Sequence, residues 1–198
     1  MYGEMDVSIL VEKPQNRQPV STKIIQPEQR ESLYKSLASS LLDRGRQVFI
    51  VCPLIAEDEK PARSLSVENI SKQTKTWLKG YSVAILHGKM KSDEKEEIMQ
   101  EFVENKIQIL VSTTVIEVGV DMPNASAMII EGADRFGLAQ LHQLRGRIGR
   151  GEHSGASYLV MTENGNIPKR LQVIEQENDG FKLADYDLDM RGPGAIYG

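Results

Sequence analysis

Ile107-Gln108-Ile109-Leu110-Val111-Ser112 runs without a break into Thr113-Thr114-Val115-Ile116-Glu117-Val118-Gly119-Val120-Asp121-Met122-Pro123. The first six residues are β-branched and apolar with almost no polar interruption. Such a short run predicts a strand covered on both faces. The hydroxyl pair then marks the strand's end. Upstream, Ile98, Met99, Phe102 and Val103 recur at helical spacing, and Asp93 with Glu96 three residues on resembles a capping box. A helix feeding a buried strand is half of a βαβ unit, and the same alternation continues in both directions.

Toward the N-terminus, Tyr81 to Leu86 predicts a strand and Val67, Ile70, Thr74, Trp77 and Leu78 a helix stopped by Gly80. Trp77 lies on the apolar face and reads as a core anchor. Gln47 to Val51 predicts another strand, ended by Pro53. Pro27 opens a helix at a tolerated position, with Leu33, Leu37 and Leu41 on one side and Gly45 as its C-terminal cap. The charged Glu57 to Arg63 reads as an exposed loop. Toward the C-terminus, strands at Ala127 to Ile130 and Ser157 to Met161 alternate with helices at Gly137 to Arg145 and Ile167 to Gln176. The expected fold is therefore α/β, a parallel sheet with helices on both faces. Right-handed crossovers put every strand's C-terminal end on one edge, where open sheets bind ligands. His87-Gly88, Thr113-Thr114 and the arginine-rich stretch after Gln140 all follow strands and are predicted to converge there. The expected division is a linker over 1–26, with short strands at Ser8 to Val11 and Thr22 to Ile25, a domain over 27–163, and a helical hairpin over 164–198.

Composition narrows the chemistry. Of 198 residues 40% are apolar and 26% charged, with net charge -4, so a nucleic-acid site must be a local patch on a soluble core. The single Cys52 follows an apolar run and reads as a small buried hydrophobe. No spanning segment or signal peptide is evident, and a cytoplasmic protein is expected. His87, His142 and His153 lie on separate segments with no metal spacing, so no metal site is expected.

The phosphate chemistry lies in Gln140-Leu141-His142-Gln143-Leu144-Arg145-Gly146-Arg147-Ile148-Gly149-Arg150-Gly151. Arginine forks match phosphate oxygens two at a time, and the glycines permit close backbone approach or positive φ. A lone Arg-Gly pair reads as a solvated loop; three in alternation read as fixed guanidinium groups facing a polyanion. Alone, Thr113 to Asp121 reads as an ordinary hydroxyl-rich turn.

Together these stretches resemble superfamily 2 helicases. Thr113 to Pro123 is similar to motif V, Gln143 to Arg150 to motif VI, and Leu86-His87-Gly88-Lys89-Met90 to motif IVa. The tail, Asn178 to Ala184 and Asp187 to Gly194, resembles the translocation motif shared by the RecG and Mfd families. Val51 to Ile55, the Arg191-Gly192-Pro193-Gly194 ending and the opening Tyr2 to Ser8 resemble RecG in particular. The resemblance implies a RecA-like second motor domain, with Arg147 and Arg150 as arginine fingers on the ATP γ-phosphate. It also implies Gln143, Glu117, Gly119 and Asp121 beside the nucleotide, and His87, Gly88, Thr113 and Thr114 on the nucleic-acid backbone. Gln172 and Arg191 would couple hydrolysis to motion.

The implied cofactor is ATP with Mg²⁺, and the implied partners are forks and Holliday junctions plus a first motor domain and a wedge domain. No membrane partner is implied; the expected setting is the bacterial cytoplasm and nucleoid. The sequence has no G-x-x-x-x-G-K-[ST] loop and no acidic box after an apolar strand, so it is expected to be part of a larger motor and inactive alone. Two alternatives stay open: the matching domain of Mfd, from which Pro193 departs, and a non-catalytic DNA-binding module.

Overall fold

In the computed structural model, residues 20–54, 65–114, 125–149 and 154–191 are described, Met190 and Arg191 without their side chains. The strands are β1 (Ser21–Ile25), β2 (Gln47–Cys52), β3 (Val83–Leu86), β4 (Ile109–Thr113), β5 (Ala125–Glu131) and β6 (Ala156–Val160). They form one parallel sheet in the order β1-β6-β5-β2-β4-β3. The helices are α1 (Arg30–Ser40), α2 (Val67–Trp77), α3 (Ser92–Val103), α4 (Leu138–Arg145), α5 (Lys169–Gln176) and α6 (Gly180–Arg191).

The central strands explain themselves. Every residue of β2 and β5 is buried, as continuous apolar runs require in a sheet covered on both faces. Alternate side chains divide between two cores. Phe49, Val51, Leu110, Met128 and Ile130 face Met99 and Phe102 of α3, Leu138 and Leu141 of α4, Leu171 and Ile174 of α5 and Leu183 of α6. Val48, Ile50, Ile109, Val111 and Ile129 face Leu33, Tyr34 and Leu37 of α1 and Val67 and Ile70 of α2. Trp77 packs beside this second core and meets Tyr34 edge-on at 5.3 Å between ring centroids. Gly45 ends the turn after α1 with φ 71.

The strand expected at Thr22 to Ile25 is β1, which pairs in register with β6 from Ser21–Ala156 to Ile25–Val160, so the end of the stretch expected as a linker is part of the sheet. The hairpin stretch shares the domain's first core through Leu171, Ile174 and Leu183. The α3 helix starts one residue before Asp93: its cap is Lys91, whose backbone N–H donates to Glu94 Oε2 at 3.3 Å. Ser8 to Val11 and Glu57 to Arg63 lie outside the described residues.

Candidate functional site

β2 and β5 are neighbours at the sheet's centre. The chain leaves β2 for α2 on one face and leaves β5 for α4 on the other. Their carboxyl ends therefore flank a switch point, where open α/β sheets accept ligands. A pocket of about 470 Å³ opens there, lined by Pro53, Leu54, Thr114, Arg135, Phe136 and Gln140. Thr114, from the end of β4, and Gln140, from the head of the arginine-rich stretch, thus meet across 26 residues of sequence. His87 joins them at the same edge: Leu86 pairs with Ser112, which puts His87 one step beyond, beside Thr113. Thr113 Oγ1 is buried with no partner among the described residues. The His87-Gly88 turn is closed by Met90 N–H donating to His87 O at 3.2 Å, and Lys95 Nζ donates to Gly88 O at 3.1 Å.

The arginines of the stretch divide into two kinds. Arg147 follows α4, half-buried, and its guanidinium has no hydrogen-bond or ion-pair partner among the described residues. Gln143 is exposed on α4. The expected convergence is corrected here: Gln140 reaches the pocket, but Gly149, two residues after Arg147, packs on Val20 and Gly155 at the starts of β1 and β6, so the end of the stretch lies toward the opposite edge of the sheet. Arg145 also departs from the expectation of a guanidinium facing a polyanion. Arg145 is only 5% exposed, and Nη1 donates to the carbonyls of Ile174 at 2.9 Å and Glu177 at 2.8 Å. Its Nη2 lies 3.1 Å from His142 Nδ1. Burial pulls its pKa below the usual value, with Glu177 opposing. This guanidinium satisfies carbonyls at the C-terminal end of α5, groups a helix leaves without intrahelical donors.

The glycines likewise serve the chain itself. Gly149 sits at φ 71, and a Cβ there would lie 3.0 Å from Val20 Cγ2. A Cβ on Gly155 would lie 3.0 Å from Gly149 N. Two segments cross there at backbone distance, which only residues without side chains allow.

Gln172 is exposed on α5 and donates locally to Ile167 O at 3.1 Å. Arg150, Glu117, Gly119 and Asp121 lie outside the described residues, as does the side chain of Arg191.

Sequence reasoning missed the braces behind the pocket. Arg170 Nε donates to Phe136 O at 3.2 Å, and its Nη2 donates to Asp134 O. Asp134 Oδ1 accepts from Thr162 N–H at 2.6 Å. Together they hold the turn that carries Arg135 and Phe136. Beneath the edge, Glu131 is fully buried, accepts from Tyr34 Oη at 2.8 Å and pairs with Arg30 at 2.9 Å. Burial raises the Glu131 pKa, with Arg30 and Tyr34 opposing. Burial and Glu131 together push the Tyr34 and Cys52 pKa values well up. The only sequence signal for these was a charged residue inside an apolar strand, Glu131 after Ile130. No cluster of three or more His, Cys, Asp or Glu suited to a metal exists among the described residues.

The helicase conserved C-terminal domain matches residues 28–152. The chain is 45% identical to the ATP-dependent DNA helicase RecG of Synechocystis over 199 residues, all of this chain and 24% of that protein. It is 42% identical to RecG of Bacillus subtilis over 199 residues and 47% identical to RecG of Streptococcus pneumoniae over 202, again all of this chain and 29% of each relative. The chain thus spans about a quarter of the length of these relatives. A structure of RecG bound to a three-way DNA junction matches 93% of this chain and 24% of its own, at 39% identity and TM-score 0.75. Yeast Dbp5 bound to Gle1 matches 92% of this chain and 41% of its own, at 16% identity and TM-score 0.56, which shows the fold alone. The six-stranded parallel sheet is that of a RecA-like helicase domain, and the chain belongs to the helicase conserved C-terminal domain family, with RecG proteins among its relatives.

Proposed function

We propose that this chain is the second motor lobe of a RecG-type translocase, which uses ATP to move on double-stranded DNA and remodels stalled forks and Holliday junctions. One observation carries the reading: the Arg147 guanidinium has no protein partner among the described residues, in a chain without a phosphate-cradling loop of its own. A cationic fork with no protein partner suits an anion brought from elsewhere. When bound, ATP supplies a transferable phosphoryl group. Arg147 and Arg150 would stabilise charge developing on it, an effect worth 10³–10⁵ in turnover in related phosphoryl-transfer enzymes. Gln143, Glu117, Gly119 and Asp121 would orient the nucleotide. Mg²⁺ would be held by a first motor domain, since no suitable acidic group is found among the described residues.

His87, Gly88, Thr113 and Thr114 would touch the DNA backbone from β3 and β4. Gln172 and Arg191, on α5 and α6, would couple hydrolysis to motion through helices that pack on α4. The stretch over 1–26, apart from β1, and the hairpin over 164–198, which also packs on this lobe's core, would join it to the first motor and wedge domains. A bacterial cytoplasmic setting at the nucleoid goes with this reading. The test is Arg147→Ala and Arg150→Ala in the intact protein. At least one should lower DNA-stimulated ATP turnover by roughly 10³ with DNA affinity retained. Wild-type turnover in both variants removes the arginine-finger assignment.

A further inference from the structure

A second basic feature lies away from the pocket. Lys72 and Lys75 on α2 and Lys79, two residues past its end, are exposed. With Ser71 and Ile85 they line a groove of about 480 Å³ against β3, the strand at one edge of the sheet. Glu68 is the only acid on its wall. Among the described residues no ion pair engages any of the three ammonium groups. Ser71 is 2% exposed, and its Oγ has no hydrogen-bond partner among the described residues. A buried hydroxyl left without a partner is costly in a packed protein, so its place on the wall of a basic groove marks a site for an oxygen-bearing ligand.

We propose that the groove between α2 and β3 is a further nucleic-acid contact, taking the phosphodiester backbone of a duplex that runs past the His87-Gly88 turn. Ile85 lines the groove and lies two residues, roughly 7 Å, before His87 on the same strand. Lys72 and Lys75 lie roughly 4.5 Å apart along the helix and Lys79 follows just past its end, close enough together to meet neighbouring phosphates of one strand. The chain's net charge is -4, so this local stripe, not the bulk of the protein, supplies the attraction. The inference rests on the nucleic-acid role of the His87 turn but not on the ATP reading.

The competing account is that these lysines guard the open edge of β3 against pairing with another chain. Fluorescence anisotropy with a labelled duplex of about 20 base pairs, over roughly 50–200 mM salt, separates the two. Lys72→Gln/Lys75→Gln/Lys79→Gln keeps good helix formers at exposed positions, and circular dichroism checks the fold. The triple variant should bind at least tenfold more weakly at low salt. Its slope of log K against log salt should be shallower by about 2–3, from three lost phosphate contacts. Ser71→Ala should weaken binding several-fold without changing that slope. Wild-type affinity and slope in the triple variant overturn the proposal, as does a wild-type protein that fails to bind the duplex at low salt. A triple variant that self-associates yet binds normally assigns the lysines to edge protection. Competition by polyglutamate as effective as by duplex of equal charge assigns the groove to an acidic peptide, which also overturns it. Failure of the ATP reading would show instead as unchanged turnover in the Arg147 and Arg150 variants.

Discussion

Arg145 and Arg147 show how two arginines, two residues apart in one motif, take opposite roles. The helix ends between them, so one guanidinium turns inward to the carbonyls of Ile174 and Glu177 while the other has no partner among the described residues. Arg145→Ala leaves two carbonyls without their donor and should cost about 2–4 kcal/mol. A urea-unfolding difference under about 0.5 kcal/mol would contradict that structural role. Glu131 yields a pH prediction. Its folded pKa lies above the ordinary 4.5, because burial outweighs Arg30 and Tyr34. The folded protein then holds that proton more tightly than the unfolded chain. The associated stability is fully present below 4.5 and is lost as pH rises through the folded value. Glu131→Gln should flatten the stability–pH curve in that window; an unchanged curve refutes the attribution. Cys52 is buried and its thiol is pushed well up, so a thiol reagent should label it only on unfolding. Rapid labelling of the native protein would contradict this.

At the scale of elements, the docking of α5 and α6 on α4 depends on one absent side chain. A Cβ on Gly180 would lie 2.8 Å from His142 Nε2. That ring is held from its other nitrogen by Arg145 at 3.1 Å. Gly180→Ala therefore forces the ring to shift and disturbs the Arg145 contacts. Overpacking of this kind costs about 1–3 kcal/mol, more than the helix propensity gained by replacing Gly. The variant should melt lower, with faster hydrogen exchange confined to α6 and the end of α5. Wild-type exchange there would show that the contact relaxes without consequence. The turn between the two helices is held independently: Glu177 Oε1 accepts from Asp179 N–H at 2.8 Å and Asn178 N–H at 2.9 Å. Those donors keep the Glu177 carboxyl below its ordinary pKa.

For the whole molecule, the sheet is a platform with one chemically equipped edge. Loops from β2, β4 and β5 and the head of α4 meet in one pocket, and β3 brings His87 beside it. The sequence carries no phosphate-cradling loop. The 198-residue chain should therefore show no ATP turnover above background, measured by phosphate release with and without DNA, although it folds. Turnover at a rate of about 1 s⁻¹ or more would mean that the chain holds nucleotide and metal by itself.

The α/β class, the helix faces and the position of the switch-point edge were legible in the sequence. Buried parallel strands must be continuous apolar runs, and helices must bury a stripe, so composition and periodicity carry that information locally. Trp77 packed against the core and Cys52 buried followed from the same logic. That Arg145 would be taken up inside the protein was not legible, because Arg145 and Arg147 are alike as residues and only the folded chain brings the carbonyls of α5 to one of them. The brace from Arg170 to the Asp134–Phe136 turn and the pairing of Arg30 with Glu131 join positions 34 and more residues apart. The partner of a charge across that distance is set by strand order and packing. The sequence determined the layers and the chemistry available. Only the tertiary structure decided which charged groups are satisfied inside the protein and which are left for a ligand.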